Sequence, residues 1–474
     1  MADNFTDIYT GLIEVPLEFL TLHGVFIIGE VLIVLTMLHM LYQRRSPTSM
    51  ISWLLMMIIV PYLFIFIYFL IGIRKRPAKK RKSSLHVKSV SESAVKINSI
   101  DGILRSNGIA GVSEYNSFEL IRDSVKAYNT LMDEIHSASK SISISTYLFK
   151  NDPVTKNIID ALIEKASKGV QVRLLVDSLG SYKLYFFQGP LKKLRKAGCE
   201  VHFFMPLLRL PYQNDINLRN HRKIYLFDET TLITGGMNLS NEYMGPTKKS
   251  YQWEDILFKT QGDATYQYAQ IFEADWAYAS GSSMRSSTPP LKKVYGDASI
   301  QVVPSGPDIE GDALFEALVD AINTATERIW IVTPYFLPDE ILMHTLKIAK
   351  HKGLDIKLIT PKQSDHFIAD LSRSSYMREL EEIGIDLILY NGKILHAKAI
   401  LFDSDTLMIG SVNIDNRSLL LNYEVVSFVY SKTIISEIEE WMQGFIANAD
   451  TQMPEAFKLR RIAENFMRIL APQL

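Results

Sequence analysis

The sequence predicts an α/β protein in which two similar domains follow an N-terminal pair of membrane helices. Strand-like and helix-like segments alternate from about Ser93 onward, a pattern typical of mixed sheets flanked by helices. The same order of segments begins again near residue 296, so we expect two domains packed around a pseudo-two-fold axis. Two long apolar runs precede both domains.

The composition excludes several classes of protein. A chain of 474 residues has room for two or three domains. Its formal net charge of −1 argues against a nucleic-acid binder, because such proteins carry a basic surface. The single cysteine, Cys199, excludes an intramolecular disulfide and a cysteine-based zinc cluster. From the net charge we expect no nucleic-acid partner.

Two apolar runs near the N-terminus predict a transmembrane hairpin. The run Leu20–Tyr42 carries one charge, Glu30, and the run Met50–Ile73 carries none. Each is long enough to span a bilayer, and neighbouring helices tolerate the kink that Pro61 can cause in the second. A cleavable signal peptide fits less well, because its basic leading segment is missing and a second run follows. Buried core helices of a soluble domain are the remaining interpretation.

A basic tract follows the second run. The segment Arg74–Lys82 reads RKRPAKKRK and holds seven Lys and Arg residues, whereas residues 1–43 hold none. Positive charge is retained on the cytoplasmic side, so we expect a multi-pass membrane protein whose larger part faces the cytoplasm. The tract either rests on anionic headgroups or serves only as a topology signal. Hairpin and tract together are assigned to residues 1–82.

The remaining chain divides into a first domain over residues 93–280 and a second over residues 296–474. The first is predicted to contain helices over 117–138 and 155–168 and strands over 141–149 and 170–177. The Ser/Pro-rich segment Gly281–Tyr295 is the linker. The second domain repeats this order, and its tail from Ser436 is predicted to form amphipathic helices that pack on the core.

A short motif occurs once in each predicted domain. In the first it comprises His221, Lys223 and Asp228, spaced as H-x-K-x4-D, followed by Gly235, Gly236 and Asn238. Side chains at i and i+2 of a strand share a face, so the imidazole and the ammonium are expected to project together. The second copy has the same offsets and comprises His396, Lys398, Asp403, Gly410, Ser411 and Asn413. The repetition indicates a duplicated catalytic half-site.

At these residues the chain resembles the phospholipase D superfamily, in which two such motifs form one active site between two similar domains. Within the superfamily it is similar to the bacterial cardiolipin synthases. That similarity rests on the segments RNHRKIYLFD, VVPSGPD (302–308) and IVTPYFLPD (331–339), and on a two-span N-terminus joined by a basic segment.

The resemblance implies phosphatidyl transfer in the bacterial cytoplasmic membrane. One phosphatidylglycerol would give its phosphatidyl group to His221 and release glycerol, and a second would then attack through its glycerol hydroxyl to give cardiolipin. His396 would act as acid and base, although the pseudo-symmetry leaves the opposite assignment open. The implied partners are phosphatidylglycerol and anionic membrane lipids.

The chemistry explains why these residue types are paired. A phosphodiester is an anion, so its site must neutralise charge and supply both a nucleophile and a leaving-group acid. Two imidazoles divide the last two tasks, and the two Lys and two Asn side chains supply charge and donors for the phosphoryl oxygens. No carboxylate or Cys/His cluster has metal-ligand spacing, so we predict metal-independent chemistry without a cofactor.

The resemblance also suggests supporting residues. An acidic residue some thirty positions past each His would hold its imidazole in one tautomer, and Asp255 and Glu424 stand at these places. Asp228 and Asp403 are then expected to form hydrogen bonds within their own domains. Ser411 fits the Gly-Ser-x-Asn pattern of the superfamily, whereas Gly236 puts in doubt any hydroxyl contact from the first half.

Three alternatives remain at this point. A membrane-bound hydrolase of the phospholipase D or nuclease type would use water as the acceptor. A transferase could instead use phosphatidylethanolamine or another alcohol as its second substrate. A non-enzymatic scaffold would have lost its motif residues, but both motifs are complete here.

Overall fold

The computed structural model describes residues 17–43, 45, 47–72, 85–208, 217–291 and 293–470. The basic tract Arg74–Lys82 lies outside this range. The chain forms two compact units, Met1–Arg74 and Lys75–Leu474, called the N-terminal unit and the main unit.

The N-terminal unit contains three helices in its described part: α1 (Leu17–Tyr42), α2 (Pro47–Ile59) and α3 (Pro61–Ile71). Their buried side chains meet around Tyr68, whose hydroxyl lies 2.8 Å from Nδ1 of His39 and whose ring contacts Trp53 edge-on. Within α1, the 19 residues Gly24–Tyr42 are the only described helix long and apolar enough to cross a membrane. Length and composition alone do not separate such a helix from a signal sequence or a buried core helix.

The second apolar run differs from the prediction of one continuous span over residues 50–73. Helix α2 ends at Ile59, Val60 is not helical, and Pro61 begins α3. Proline has no backbone N–H and is tolerated in the first turn of a helix, so it begins a new helix here. The resulting helices have 13 and 11 residues, each shorter than a bilayer requires.

The main unit alternates strands and helices, as predicted, in two halves. The first half, residues 85–291, contains α4 (Ser99–Ser106), β1 (Ser113–Asn116), β2 (Glu119–Ile121), α5 (Ser124–Ser137), β3 (Ser141–Thr146), α6 (Pro153–Ser167), β4 (Gln171–Asp177), α7 (Tyr182–Phe186), α8 (Gly189–Lys196), β5 (Glu200–Phe204), β6 (Ile224–Phe227), β7 (Thr231–Gly235), β8 (Leu257–Thr260) and α9 (Asp263–Ser280).

The second half, residues 293–470, contains β9 (Ala298–Ser305), α10 (Ala313–Thr324), β10 (Arg328–Val332), β11 (Phe336–Leu337), α11 (Glu340–His351), β12 (Asp355–Pro361), α12 (Phe367–Glu382), β13 (Asp386–Tyr390), β14 (Ala399–Phe402), β15 (Thr406–Gly410), β16 (Ile414–Asp415), α13 (Asn416–Leu420), β17 (Glu424–Val429), α14 (Lys432–Ile446), β18 (Ala449–Asp450) and α15 (Lys458–Leu470).

Each half has one large mixed sheet, and the two sheets share a strand order. The first sheet runs β2-β8-β7-β6-β3-β4-β5, and the second runs β1-β9-β17-β15-β14-β10-β12-β13-β18. In each, three strands are parallel (β3, β4, β5 and β10, β12, β13), and the motif strand joins them antiparallel. The mixed sheets confirm the predicted fold class and its internal repeat.

The halves share a hydrophobic core. Alternate strand residues point to opposite faces of a sheet, and one face of each sheet contributes to a common cluster that includes Leu226, Phe258, Val302 and Leu401. The opposite faces pack under the helices of their own half. Residues 99–116, which the sequence assigns to the first domain, pack with the second half, where β1 pairs with β9.

Candidate active site

Both motif histidines lie in extended segments that precede the motif strands. Strand β6 begins at Ile224, one residue after Lys223, and β14 begins one residue after Lys398. Across the boundary between the halves, the amide of His221 donates to the carbonyl of Tyr423 (2.8 Å), and that of His396 donates to Glu254 (2.7 Å). Each motif segment is thereby held against the opposite half.

His396 is oriented by Asp255. Its Nδ1 atom lies 2.8 Å from Oδ2 of Asp255, which is fully buried. A carboxylate accepts a hydrogen bond, so this contact favours the tautomer that carries its proton on Nδ1 and leaves Nε2 for chemistry. Nζ of Lys398 also lies 2.7 Å from Nδ1 and 3.3 Å from Nε2. The rings of Tyr243 and Trp253 lie 5.3 and 5.1 Å from the imidazole and form the wall around it.

His221 lies beside Glu424 in the corresponding place, but the contact is looser, and Oε1 of Glu424 is buried with no hydrogen-bond partner among the described residues. The Nδ1 atom of His221 lies 3.3 Å from Oε1 of Glu424, and the His221 side chain is 21% exposed, against 11% for His396. The ring of Tyr147 lies 4.0 Å from the imidazole. Burial raises the pKa of Glu424 to about 8, against the opposing charge of Lys223.

The carboxylate partners are crossed between the halves. Asp255 follows His221 in sequence but contacts His396, and Glu424 follows His396 but contacts His221. The residues that the sequence singles out as supporting are therefore brought to the site, each serving the histidine of the other half. The sequence spacing alone does not indicate this exchange.

Gly236 and Ser411 occupy the same position of the repeated motif, and each suits the carboxyl group that it lies beside. The Ser411 hydroxyl donates to Oε2 of Glu424 at 2.5 Å, and Ser411 is buried, so the structure directs it to Glu424. In the first half, a Cβ atom on Gly236 would come within 2.1 Å of Oδ1 of Asp255. The missing side chain leaves the space that the Asp255 carboxyl occupies.

The two motif lysines are buried beside the imidazoles. Lys223 Nζ donates to the carbonyl of His221 at 2.9 Å, and Lys398 Nζ donates to the carbonyl of His396. Burial lowers the pKa of both lysines, that of Lys398 to about 8. Burying an ammonium is costly unless an anion accompanies it, which favours a phosphate between them.

Both histidines are neutral at physiological pH. Burial first, and the charges of the lysines second, lower the pKa of His396 to about 4 and that of His221 well below its usual value. The charge of His396 also lowers the pKa of His221, so the two imidazoles belong to one electrostatic cluster. A neutral imidazole is the form that can act as a nucleophile.

The two asparagines differ in their present contacts. Asn238 accepts from the amide of Leu148 (3.2 Å) and donates to the Tyr243 hydroxyl (3.1 Å). Asn413 donates to Ser418 at 3.4 Å, and its Oδ1 atom is buried with no hydrogen-bond partner among the described residues. The amide nitrogen of Asn238 has a second N–H that these contacts do not use, whereas Asn413 also forms a hydrogen bond with Asp415.

The motif aspartates lie away from the imidazoles. Asp228 accepts hydrogen bonds from the backbone amides of residues 139–141, and Asp403 accepts from those of residues 326–328. These amides lead into β3 and β10, the strands beside the motif strands. The expectation that both residues act within their own halves agrees with these contacts.

Arg222 and Arg417 also lie at the site, although the sequence patterns did not single them out. Arg222, between the motif His and Lys, is fully buried and contacts Asp275 (2.7 Å) and Asp308 (3.0 Å). Its side chain also donates to the carbonyl of Glu424, so it ties the two halves together beside His221. Arg417 donates to the carbonyl of Asn217, and its charge lowers the pKa of His221. The sequence feature that could have identified Arg222 is its position inside the motif, as a charged residue between the histidine and the lysine.

Within the described ranges, no three His, Cys, Asp or Glu side chains are grouped to hold a metal ion. Metal independence stays a prediction, because a ligand-free structure does not test it.

Comparison with known proteins identifies the family. A family model described as "Cardiolipin synthase, PLD-like domain" matches residues 131–276 and 318–446, one segment in each half. The chain is 30% identical to cardiolipin synthase 1 of Bacillus anthracis, over 91% of this chain and 90% of that protein. It is 31% identical to the major cardiolipin synthase of Bacillus subtilis strain 168, over 93% and 97% of the two chains.

A solved structure shares the fold. The phosphatidylserine synthase of Haemophilus influenzae Rd KW20 superposes with a TM-score of 0.57 and 15% identity, over 79% of this chain and 96% of that one. The matched family segments include both histidines and both lysines of the site. The chain therefore belongs to the cardiolipin synthase family of proteins with phospholipase D-like domains.

Proposed function

We propose that the protein is a cardiolipin synthase that converts two phosphatidylglycerols into cardiolipin and glycerol. The observation that carries the proposal is the crossed pair of imidazoles, each with Nδ1 beside a carboxyl group of the opposite half, at 3.3 Å for His221 and 2.8 Å for His396. Two oriented imidazoles in one electrostatic cluster can serve one phosphate, one as nucleophile and the other as acid and base. The relatives named above are cardiolipin synthases, and they align with nearly the whole chain.

In the first step, Nε2 of His221 attacks the phosphorus of one phosphatidylglycerol. The bond from phosphorus to the glycerol oxygen breaks, and that oxygen takes a proton from His396, so glycerol leaves and a phosphatidyl-histidine remains. In the second step, neutral His396 takes the proton of a glycerol hydroxyl on the second phosphatidylglycerol. That oxygen displaces His221 from phosphorus, which gives cardiolipin and restores the first imidazole.

The lysines make this proton cycle possible. In the free site the charge of Lys398 contributes to the low pKa of His396. A bound phosphodiester places negative charge beside Lys223 and Lys398, which offsets their repulsion and raises the pKa of the imidazole. The ammonium groups and the side-chain amides of Asn238 and Asn413 then stabilise the charge that develops on the phosphoryl oxygens.

We assign His221 as the nucleophile and His396 as the acid and base. The greater exposure of the His221 side chain fits the group that must approach phosphorus first. The shorter contact between His396 and Asp255 fits the imidazole that must carry a positive charge, because a nearby carboxylate stabilises the protonated form. Asp255 and Glu424 are positioning residues, and Ser411 supports Glu424.

We further propose that the protein is integral to the bacterial cytoplasmic membrane. Helix α1 is long enough to cross, and both lipid substrates reside in the bilayer. The second crossing, by the segment containing α2 and α3, and the cytoplasmic position of the main unit are parts of this proposal. So is the division of the main unit into domains over 93–280 and 296–474.

Product analysis tests the proposal. The purified full-length protein is incubated with labelled phosphatidylglycerol and chelator in detergent, and its lipids are separated by thin-layer chromatography. Cardiolipin and free glycerol in equal amounts, absent from the His221→Ala protein, are the expected products. Phosphatidic acid as the main product would identify water as the acceptor and overturn the synthase assignment in favour of a phospholipase.

A further inference from the structure

The last helix of the chain packs on the main unit with its polar face. Glu464 of α15 is buried and lies 2.8 Å from the guanidinium of Arg378 on α12. Arg468 contacts Glu379 on the same helix, and Asn465 accepts from Ser375. A helix of a soluble protein normally turns its apolar stripe inward, so α15 is oriented the opposite way.

Three large apolar side chains of α15, those of Leu459, Ile462 and Phe466, are consequently exposed. They occur one and two turns apart, and together with neighbouring exposed residues they form a surface that we call the apolar patch: Phe367, Ile368, Phe457, Leu459, Ile462 and Phe466. Phe367 is 79% and Leu459 is 73% exposed. Phe367, Phe457 and Leu459 line one open groove of about 1050 Å³ between α12 and α15. Ile462 and Phe466 extend this surface along α15, because residues three and four positions apart on a helix are neighbours. Contiguous exposed apolar surface of this kind marks an interaction site.

Charge indicates what covers the patch. Helix α15 also carries the exposed Lys458 and Arg461, whereas its Arg460 and Arg468 pair with Glu464 and Glu379. An apolar stripe bordered by Lys and Arg is typical of helices that lie in the interface of a bilayer with anionic lipids. A protein partner that matched this surface would instead need an acidic rim around an apolar centre.

The patch adjoins the active site. Helix α12 begins with Phe367, and the ring of the preceding His366 lies 5.9 Å from that of Tyr335. Tyr335 donates to Asp365, and its ring is 6.4 Å from the imidazole of His396. Two ring contacts, His366 with Tyr335 and Tyr335 with His396, therefore connect the start of the patch to the reacting imidazole.

The first half presents an equivalent exposed segment. Strands β4 and β12 hold the same place in their sheets, and α7 follows β4 as α12 follows β12. Phe186 and Phe187, at the end of α7, are exposed. Ser181, before α7, donates to the carbonyl of Tyr147, whose ring contacts His221. Both halves thus expose large apolar side chains beside the wall of the site.

We propose that the apolar patch inserts into the acyl layer of an anionic bilayer and holds the site mouth against the membrane that contains its substrates. This inference rests on the proposed function for its substrate class. It adds a membrane contact in the main unit, separate from the N-terminal apolar helix. The groove between α12 and α15 receives acyl chain, and Lys458 and Arg461 of α15 contact the lipid phosphates.

A depth measurement on the full-length chain tests this proposal directly. Cys199 is the only cysteine and is buried, so Cys199→Ala gives a background for single labels. An environment-sensitive fluorophore is attached at Ile462→Cys, in nanodiscs that contain phosphatidylglycerol and lipid with a quencher in its acyl chain. The matched control is Lys352→Cys, an exposed position between α11 and β12. It precedes the start of β12, whereas α12 follows the other end of that strand.

Strong quenching at position 462 and none at 352 is the expected result. Equal emission at both positions in quencher lipid would overturn the proposal. So would emission at 462 that shifts with protein concentration and not with lipid, because a second copy of the chain would then cover the patch.

Activity supplies a second, independent readout. The triple variant Leu459→Glu, Ile462→Glu, Phe466→Glu should raise KM for phosphatidylglycerol in vesicles about tenfold, because its helix no longer partitions into the bilayer. Turnover of dissolved short-chain phosphatidylglycerol should stay unchanged. Leu291→Glu, at an equally exposed apolar position in the linker, is the control. Quenching without any cardiolipin product would refute the proposed function and leave the membrane contact standing. Cardiolipin formation without quenching at position 462 would refute the membrane contact and leave the proposed function standing.

Discussion

His396 and Asp255 lie 141 positions apart in the sequence and in different halves of the main unit, yet Nδ1 of the imidazole is 2.8 Å from the carboxylate. His221 and Glu424 repeat the relationship in the opposite direction. An isolated half would contain a histidine, a lysine and a carboxylate but no oriented imidazole. The boundary between the halves is therefore part of the catalytic apparatus.

Removing one carboxylate charge should disable the histidine of the other half. Asp255→Asn is expected to lower kcat about 10²–10⁴-fold, because an amide can stabilise the wrong tautomer of His396. Cardiolipin formation measures the loss, and Glu254→Gln is the matched control, since Glu254 is more exposed and faces Lys393. Activity of Asp255→Asn within tenfold of the wild type would contradict the positioning role.

Anion affinity should fall as the pH rises through about 8. The pKa of Lys398 is lowered to about 8, so its positive charge is lost above that pH, and Glu424, whose pKa is raised to about 8, becomes negative over the same range. Both changes disfavour a bound anion. Sulfate keeps its charge across this range, and its inhibition constant should increase about tenfold per pH unit for each linked proton.

The Lys398→Arg protein separates the two contributions. Its guanidinium remains charged at every accessible pH, so the loss of sulfate affinity above pH 8 should become shallower. An identical pH profile in wild type and variant would show that Lys398 does not bind the anion.

A methyl group at Gly236 should displace Asp255. The added Cβ would lie 2.1 Å from Oδ1 of the carboxyl, which cannot stay in place. A displacement of about 1 Å in a catalytic group costs on the order of 100-fold in rate, so Gly236→Ala should lower kcat by that factor. Gly189→Ala, whose Cβ would meet nothing within 4 Å, is the control. Thermal unfolding of each variant identifies the temperature at which both remain folded.

The motif aspartates should contribute to stability more than to chemistry. Burial opposes ionisation of Asp403, but hydrogen bonds from three backbone amides outweigh it and lower its pKa. Such a carboxylate stabilises the fold above its unfolded pKa of about 4, and this is lost as the pH falls through the folded value. Asp403→Asn should therefore lower the free energy of unfolding by about 1–3 kcal/mol at pH 7.

Kinetics at a temperature well below the unfolding midpoint complete this test. The kcat of Asp403→Asn should remain within about threefold of the wild type, because Asp403 contacts backbone amides and not an imidazole. A loss as large as that of Asp255→Asn, in a folded protein, would place Asp403 in the chemistry instead.

The repeated motif indicated which side chains lie close together, because a local spacing fixes which side chains share a strand face; their catalytic roles stay predictions. His221, Lys223, His396 and Lys398 all meet at the boundary between the halves. The crossed carboxylates were not predictable, since the partner of each histidine depends on how the two sheets pack. The contact of Ser411, which the Gly-Ser-x-Asn pattern singled out, with Glu424 was not predictable for the same reason.

Two elements of the fold escaped the sequence patterns for physical reasons. Helix α9 is buried on nearly all sides, so its polar residues do not mark an exposed face. Glu273 and Asp275 on this helix are buried because they pair with Arg173 and Arg222. Strand β9 begins directly after the linker and has no helix before it in its own half.

Trapping the covalent intermediate tests the central claim most directly. The His396→Ala protein is mixed with a phosphatidyl ester of p-nitrophenol, whose leaving group needs no acid, and the digest is analysed at neutral pH by mass spectrometry. Because His221 attacks and no base remains to discharge it, one phosphatidyl group per chain should accumulate on the peptide containing His221. It should be absent from the doubly substituted protein that also carries His221→Ala. An adduct on another residue, or release of p-nitrophenol with no adduct, would contradict His221 as the nucleophile.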